Sequence, residues 1–281
     1  MIWMEISDQL GAVYDIGADE YVFAITLAEI IGTWSSGIWY YDVAKSKWTQ
    51  MISYSSQKDI AAGDFTGDGK ADVASNWSSG LWYQNGATLS WTKIYSSAPY
   101  LLTAGDITGN GQAEIITKWD SGIWYYDVAK SKWTQMISSF TTGDIQAADF
   151  TGDGKADVAS NWSSGLWYQN GATLGWTKVL GTAPKLLTAG DVTGDGRAEI
   201  IGTWSSGIWY WDVAKSKWTQ MWTGVSSIDI AAGDFTGDGK ADVASCWPGY
   251  GLYYQNGATL GWTKVTGTAP SQVTAGDVTG N

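Results

Sequence analysis

The phrase Asp-x-Thr-Gly-Asp/Asn-Gly recurs along this chain at a nearly constant interval, and no other feature constrains its fold as tightly. It begins at Asp64, Asp106, Asp149, Asp191 and Asp234, and a sixth copy, Asp277-Val278-Thr279-Gly280-Asn281, is cut off by the end of the sequence. Successive copies lie 42, 43, 42, 43 and 43 residues apart. Thirteen residues after each Asp stands a tryptophan (Trp77, Trp119, Trp162, Trp204, Trp247), and Trp34 fits the same register one unit earlier. Each unit then runs through a Ser-Gly turn in most copies, an aromatic run and a polar turn to a Trp-Thr-Lys/Gln end at Trp48, Trp91, Trp133, Trp176, Trp218 and Trp262.

Within a unit, strand-length stretches rich in Val, Ile, Trp, Tyr and Thr are separated by Gly, Asn, Asp and Ser, the pattern of short strands joined by turns. One unit is predicted to hold strands near 101–105, 113–119, 123–126 and 133–136. No stretch carries a 3.6-residue apolar period long enough for a helix. Four strands in a period of about 40–45 residues is the arithmetic of a β-propeller blade. The fold class is therefore all-β, a propeller of four-stranded blades. Two flavours of unit alternate, one with Lys-Ala-Asp-Val-Ala-Ser and Gln-Asn-Gly-Ala-Thr-Leu, the other with Ala-Glu-Ile-Ile and Asp-Val-Ala-Lys-Ser-Lys. Residues 64–89 and 149–174 are identical, which points to recent duplication or to design.

The tail stops at Asn281, the fifth position of its loop, and the head resumes the pattern at Leu27-Ala28-Glu29-Ile30-Ile31. Tail and head are complementary parts of one blade. This predicts one domain over residues 27–281, six-bladed and closed by the C-terminal strand. Residues 1–26 form an irregular N-terminal segment. Trp3 and the stretch 10–15 could supply further strands, which leaves a partial seventh blade or a swapped dimer open.

Charge and composition narrow the function classes. With 16 Lys and Arg against 28 Asp and Glu, the net charge is −12, and an acidic surface repels phosphate backbones and anionic lipid heads. Nucleic acid is not an expected partner. No run of about 18 apolar residues suggests a membrane span, and the first residues lack the pattern of a signal peptide. The chain has no histidine and one cysteine, Cys246, which stands where sister repeats carry Asn76 and Asn161. The commonest general base and the Ser-His and Cys-His pairs are thus missing.

The repeated loop carries the first candidate chemistry. Asp64-Phe65-Thr66-Gly67-Asp68-Gly69-Lys70-Ala71-Asp72 places oxygen donors at its first, third, fifth and ninth positions, with a carbonyl available at the seventh. Hard cations such as calcium take six to eight oxygen ligands. The candidate metal sets are Asp64, Asp68 and Asp72; Asp106, Asn110 and Glu114; Asp149, Asp153 and Asp157; Asp191, Asp195 and Glu199; and Asp234, Asp238 and Asp242. A split set joins Asp277 and Asn281 to Glu29. A metal-free turn, with the Asp and Thr side chains bonded to loop amides, stays open beside calcium.

The loop resembles the FG-GAP or VCBS class of integrin-like propeller repeats, over about residues 27–281. That resemblance implies calcium held between the first two strands of a blade, and an extracellular or cell-surface setting. The class also includes propeller lectins. Its strongest calcium binders carry Asp or Asn at the third position, where this chain has Thr.

The second candidate is the Trp-Ser-Ser-Gly hairpin. A tryptophan beside serine hydroxyls suits a sugar, whose C–H face lies on the ring; inter-blade packing is the competing role of the same ring. The candidate carbohydrate-binding residues are Trp34, Trp77, Trp119, Trp162, Trp204 and Trp247, with Ser35, Ser78, Ser163 and Ser205. Asp120 replaces a hairpin serine, and Pro248-Gly249-Tyr250-Gly251 replaces Ser-Ser-Gly with one extra residue. The Lys45-Ser46-Lys47 turn, repeated at Lys130 and Lys215, reads as a solvated turn.

Repeated shallow sites around a ring favour a multivalent lectin, with weak contacts summed by avidity. An adhesion or scaffold propeller binding a protein partner is the alternative, and a homo-oligomer is open. An enzyme is disfavoured, because an active site is a singular constellation and these carboxylates repeat in every unit.

Overall fold

In the computed structural model, the described residues are 27–53, 59–138, 142–224 and 227–280. They form six four-stranded antiparallel sheets arranged as a six-bladed β-propeller, with no helix. The expectations for residues 1–26, and Asn281, fall outside the described residues.

Blade I joins the C-terminal strand Gln272–Gly276 to Glu29–Trp34, Gly37–Asp42 and Lys47–Ile52. Blade II holds Ile60–Gly63, Asp72–Trp77, Gly80–Gln84 and Trp91–Tyr95, and blade III holds Leu101–Gly105, Glu114–Trp119, Gly122–Asp127 and Lys132–Ile137. Blade IV holds Thr142–Ala148, Asp157–Trp162, Gly165–Gln169 and Trp176–Leu180. Blade V holds Leu187–Gly190, Glu199–Trp204, Gly207–Asp212 and Lys217–Trp222, and blade VI holds Asp229–Gly233, Asp242–Trp247, Gly251–Gln255 and Trp262–Thr266. Seam pairing runs from Glu29 opposite Gly276 to Thr33 opposite Gln272.

The second strand of each blade is buried on both faces, as in Asp72–Trp77, whereas the outer strands are mostly half-buried or exposed. Each hydrophobic cluster therefore lies between two blades rather than within one. Phe65, Ala74 and Leu81 of blade II pack on Leu102 and Ile115 of blade III, and Ile30 and Val273 of blade I pack on Phe235 and Leu252 of blade VI. A single blade has no core of its own and is stabilised only by its neighbours.

Six inner strands converge on the axis, which explains their small Ala and Gly residues. A Cβ on Gly105 would lie 2.8 Å from that of Ala156 and 3.0 Å from that of Ala147. Around this ring each loop is tied to the next. The amides of Ala71, Ala113, Ala156, Ala198, Ala241 and Ala28 donate to the carbonyls of Asp277, Asp64, Asp106, Asp149, Asp191 and Asp234, at 2.5–2.9 Å. The circle closes across the chain termini.

The alternation of flavours has a structural meaning here. Asp59, Asp144 and Asp229 lie at or near the start of the inner strands of blades II, IV and VI, and each carboxylate accepts an amide from the next blade: Leu102 at 2.6 Å, Leu187 at 2.8 Å and Val273 at 2.8 Å. Phenylalanines Phe65, Phe150 and Phe235 fill the same three interfaces. Blades II–III, IV–V and VI–I are thus two-blade units. The three carboxylates line a central channel of about 330 Å³.

Deleting residues 270–281 removes the inner strand of blade I and half of its loop. The truncated chain is expected to lose its cooperative thermal transition or to associate through the exposed Glu29–Trp34 edge, as read by calorimetry and size-exclusion chromatography. An unchanged transition in a monomer would show that the seam does not hold the ring.

Candidate functional site

Two families of repeated site emerge, the loops on one rim and the aromatic clefts between blades. In the loops the glycines at 67 and 69 adopt φ of 76° and 81°, and this turns the intervening amides toward the first aspartate. Asp64 accepts from the amides of Gly67 (2.6 Å), Asp68 (3.2 Å) and Gly69 (2.9 Å). The same bonds recur around Asp106, Asp149, Asp191 and Asp234. In the split loop Gly280 donates to Asp277 at 2.6 Å.

The ninth position is buried and equally committed. Asp72 accepts the amides of Phe65 and Thr66 and, through its other oxygen, that of Gly86; Asp157 and Asp242 likewise take an amide on each oxygen, Phe150 or Phe235 on one side and Gly171 or Gly257 on the other. Where the residue is Glu, its second oxygen takes the threonine hydroxyl instead: Thr108 to Glu114 at 2.9 Å, Thr193 to Glu199 at 3.1 Å and Thr279 to Glu29 at 2.7 Å. The fifth-position carboxylates of blades II, IV and VI accept from Asn85, Asn170 and Asn256.

The donor sets therefore differ in their fit to a hard cation. Among the described residues, one set of three carboxylates offers oxygens all within 4.8 Å of one another: Asp191, Asp195 and Glu199 of blade V. The Lys215 ammonium lies 3.2 Å from Asp195 and 2.7 Å from Asp212. The turn lysines are thus not merely solvated. Lys45, Lys130 and Lys215 each bond a buried aspartate three residues back in the chain, Asp42, Asp127 and Asp212.

Burial pushes the ninth-position carboxyls up, to about 6 for Asp157 and Asp242 and about 7 for Glu199. The same cause raises Asp144 and Asp229 in the channel to about 7. Cys246 is fully buried, and its thiol is pushed up by that burial, which leaves it inert.

The clefts lie between the outer strand of one blade and the hairpin of the next. At blade III the cleft has a volume of about 520 Å³, and it is lined by Tyr95 and Ser97 of blade II with Trp119, Asp120, Ser121, Trp124 and Trp133. At blade I it is smaller, about 170 Å³, with Thr266 of blade VI facing Trp34, Ser36, Trp39 and Trp48. The tryptophans singled out by the repeat are present, but their indole N–H groups in blades II and III point back along their own strand, to Ser75 and Thr117 at 2.7 Å. Trp247 is buried. Ser35, Ser78, Ser163 and Ser205 are exposed at the hairpin tip, and it is the following serine that engages the ring system. Ser36, Ser79, Ser121, Ser164 and Ser206 accept the indole N–H of Trp39, Trp82, Trp124, Trp167 and Trp209 at 3.0–3.1 Å.

Those middle-strand tryptophans were not among the candidates drawn from the sequence, and they divide the clefts in two. In blades II, IV and VI the first ring stacks on the middle one: Trp77 on Trp82 (5.9 Å, 29°), Trp162 on Trp167 (5.2 Å, 20°) and Trp247 on Tyr253 (4.6 Å, 28°). The middle ring is covered by its cross-strand lysine, Lys93, Lys178 or Lys264, each 5.5 Å from the ring centroid. In blades I, III and V the first ring instead stands edge-on to the outer-strand tryptophan, at 78–87°. There the cross-strand partner is Gln50, Gln135 or Gln220, whose amide donates to the hairpin carbonyl of Ser36, Ser121 or Ser206. The residue contributed by the preceding blade varies as well: Tyr95 lies 5.5 Å from Trp119, and Trp222 stacks on Trp247 at 6.1 Å, closing the blade VI cleft.

No family model matches the chain, and no curated protein matches it by sequence. Solved structures similar to it are propellers. A lectin of Agrocybe aegerita described as recognising non-reducing terminal N-acetylglucosamine aligns at TM-score 0.56 and 17% identity, over 90% of this chain and 76% of that one. A chain of a nidogen–laminin complex aligns at TM-score 0.60 and 9% identity, over 88% and 98%. A xyloglucanase of Xanthomonas campestris aligns at TM-score 0.52 and 11% identity, over 90% of this chain and 43% of that one. At these identities the likeness is one of fold, shared by binding proteins and an enzyme.

The raised carboxyls give a pH dependence with a definite sign. Their folded values lie above the unfolded 3.8 for Asp and 4.5 for Glu, so between about pH 4 and 7 the folded state binds more protons and loses stability as pH rises. The melting temperature in chelator is expected to be higher at about pH 5 than at about pH 8. A flat or rising profile across that range would contradict this burial.

Proposed function

We propose that the chain is a multivalent carbohydrate-binding protein whose sites are the clefts between neighbouring blades. The observation that carries this reading is the repeated pairing of aromatic faces with a hairpin hydroxyl, open at blades I and III to volumes that accept a sugar ring. An aromatic face takes the apolar side of a pyranose, and the serine oxygen and backbone groups at the rim meet its hydroxyls. The lectin among the similar structures supports the reading at the level of fold. Repetition around a ring suits a surface-displayed polysaccharide, since several weak contacts then act together. The carboxylates with raised pKa also recur around the ring and are bonded to amides, and this favours binding over catalysis.

Calcium belongs to the same proposal, as a rim cation rather than a sugar ligand. Asp191, Asp195 and Glu199 would hold it in blade V, where their oxygens already converge, and the FG-GAP resemblance of the loops supports the assignment. Binding would require Lys215 to leave Asp195 while keeping Asp212. The metal would offset the mutual repulsion of these converging carboxylates and raise thermal stability at neutral pH.

A glycan array in calcium buffer and again in chelator tests the reading. Binding of a coherent class of neutral sugars is expected, and Trp39→Ala is expected to weaken binding at blade I by about tenfold, the scale of one lost stacking contact. Calcium is expected to raise the melting temperature, and Asp191→Asn to abolish that rise. A blank array in both buffers would remove the carbohydrate reading and favour a scaffold for a protein partner.

A further inference from the structure

The clefts of blades II, IV and VI are already occupied by a ligand of known chemistry, the chain's own lysine. Lys93, Lys178 and Lys264 hold an ammonium over the middle aromatic ring, the arrangement in which the negative face of the π-system attracts a cation. The cross-strand pairing of Trp82 with Lys93 is matched residue for residue by that of Trp124 with Gln135 in blade III. Gln135 is drawn away, its amide donating to the Ser121 carbonyl at 2.7 Å. The Trp124 face therefore presents the same cation-attracting surface, and among the described residues no ammonium lies on it.

Blade III differs from the other uncapped blades in one further respect. Its hairpin carries Asp120 where Ser35 and Ser205 stand in blades I and V, and Asp120 lines the same cleft as Trp119, Trp124, Trp133 and Tyr95. The Tyr100 hydroxyl donates to Asp120 Oδ2 at 3.0 Å. This orients the carboxylate and leaves Oδ1 for an incoming donor. The Lys118 ammonium does not line the cleft; it is held over the Tyr100 ring, 4.9 Å from the centroid. A net charge of −12 adds a long-range pull on cations.

We propose that the blade III cleft selects a positively charged sugar, a 2-amino-2-deoxyhexose with a free, protonated amine, as in a deacetylated chitin-type oligosaccharide. This rests on the carbohydrate-binding reading and narrows it for one cleft. The ammonium takes the place over Trp124 that lysine holds in the sister blades. It is balanced by Asp120, while Trp119 and Tyr95 bound the sugar ring. Blade I, with serine at the hairpin and no carboxylate among its lining residues, is left for neutral sugars.

The test is isothermal titration of the full chain at about pH 6 and low salt, with glucosamine oligomers and with their N-acetylated counterparts. Two variants copy sister blades and so keep the fold: Asp120→Ser removes the carboxylate, and Gln135→Lys supplies an internal ammonium to Trp124. The free-amine ligand is expected to bind a single site about tenfold more tightly than the acetylated one. Each variant is expected to remove that preference and leave neutral-sugar binding at the other clefts unchanged. Equal affinity for the two ligands, or a preference that survives both variants, would overturn the charge selection and leave the carbohydrate reading standing. Tetramethylammonium binding as tightly as the amino sugar would overturn the sugar assignment of this cleft. No binding of any sugar would overturn the carbohydrate reading itself.

Discussion

Every feature of this molecule depends on the contact between adjacent blades. Each hydrophobic cluster is shared by two sheets, so the unit of stability is the interface, and an open array would leave two such faces in water. Closing the ring removes both, at the cost of joining the chain's ends. Blade I, split across the chain's ends, meets that demand with the same parts as the other five blades: alanine–aspartate bonds to both neighbours, Ala28 to Asp234 and Ala71 to Asp277, and a buried carboxylate, Glu29, that accepts the amide of Val278 at 2.9 Å. The loops are thus structural elements first. Their aspartates hold the turns and their ninth-position carboxylates anchor strand to loop.

The alternation of two repeat flavours turns a six-fold ring into three two-blade units. Inner-strand aspartates and buried phenylalanines strengthen every second interface. On the outside, the same alternation decides whether the middle aromatic ring is capped by lysine or left uncovered beside glutamine. Core and surface follow one rule because both are set by which flavour faces which. Departures from it, Trp222 and Asp120, then give individual clefts their own character.

Much of the fold was legible in the repeat itself. The period, the turn residues and the complementary ends at Asn281 and Leu27 pointed to six blades closed by the C-terminal strand, and the strands agree to within a few residues. The first tryptophan of each unit was legible as part of an aromatic surface. Its middle-strand partner was not, because Trp39 and Trp124 sit in runs such as Gly-Ile-Trp-Tyr-Tyr that read as core. The Lys/Gln alternation at the end of each unit was visible too. Its meaning required the cross-strand register that sets Lys93 against Trp82 and Gln135 against Trp124. Two hairpin positions were not distinguishable in the sequence: the second serine bonds the middle indole, whereas the first position lines the blade III cleft as Asp120.

Native mass spectrometry of the intact chain, titrated with a neutral oligosaccharide that it binds, tests the central claim most directly. With ligand held only in clefts whose middle ring is free of lysine, saturation at three or fewer equivalents is expected. Six equivalents of similar affinity would show that the lysine-capped clefts bind as well as the open ones, and the division of the ring into two kinds of site would be wrong.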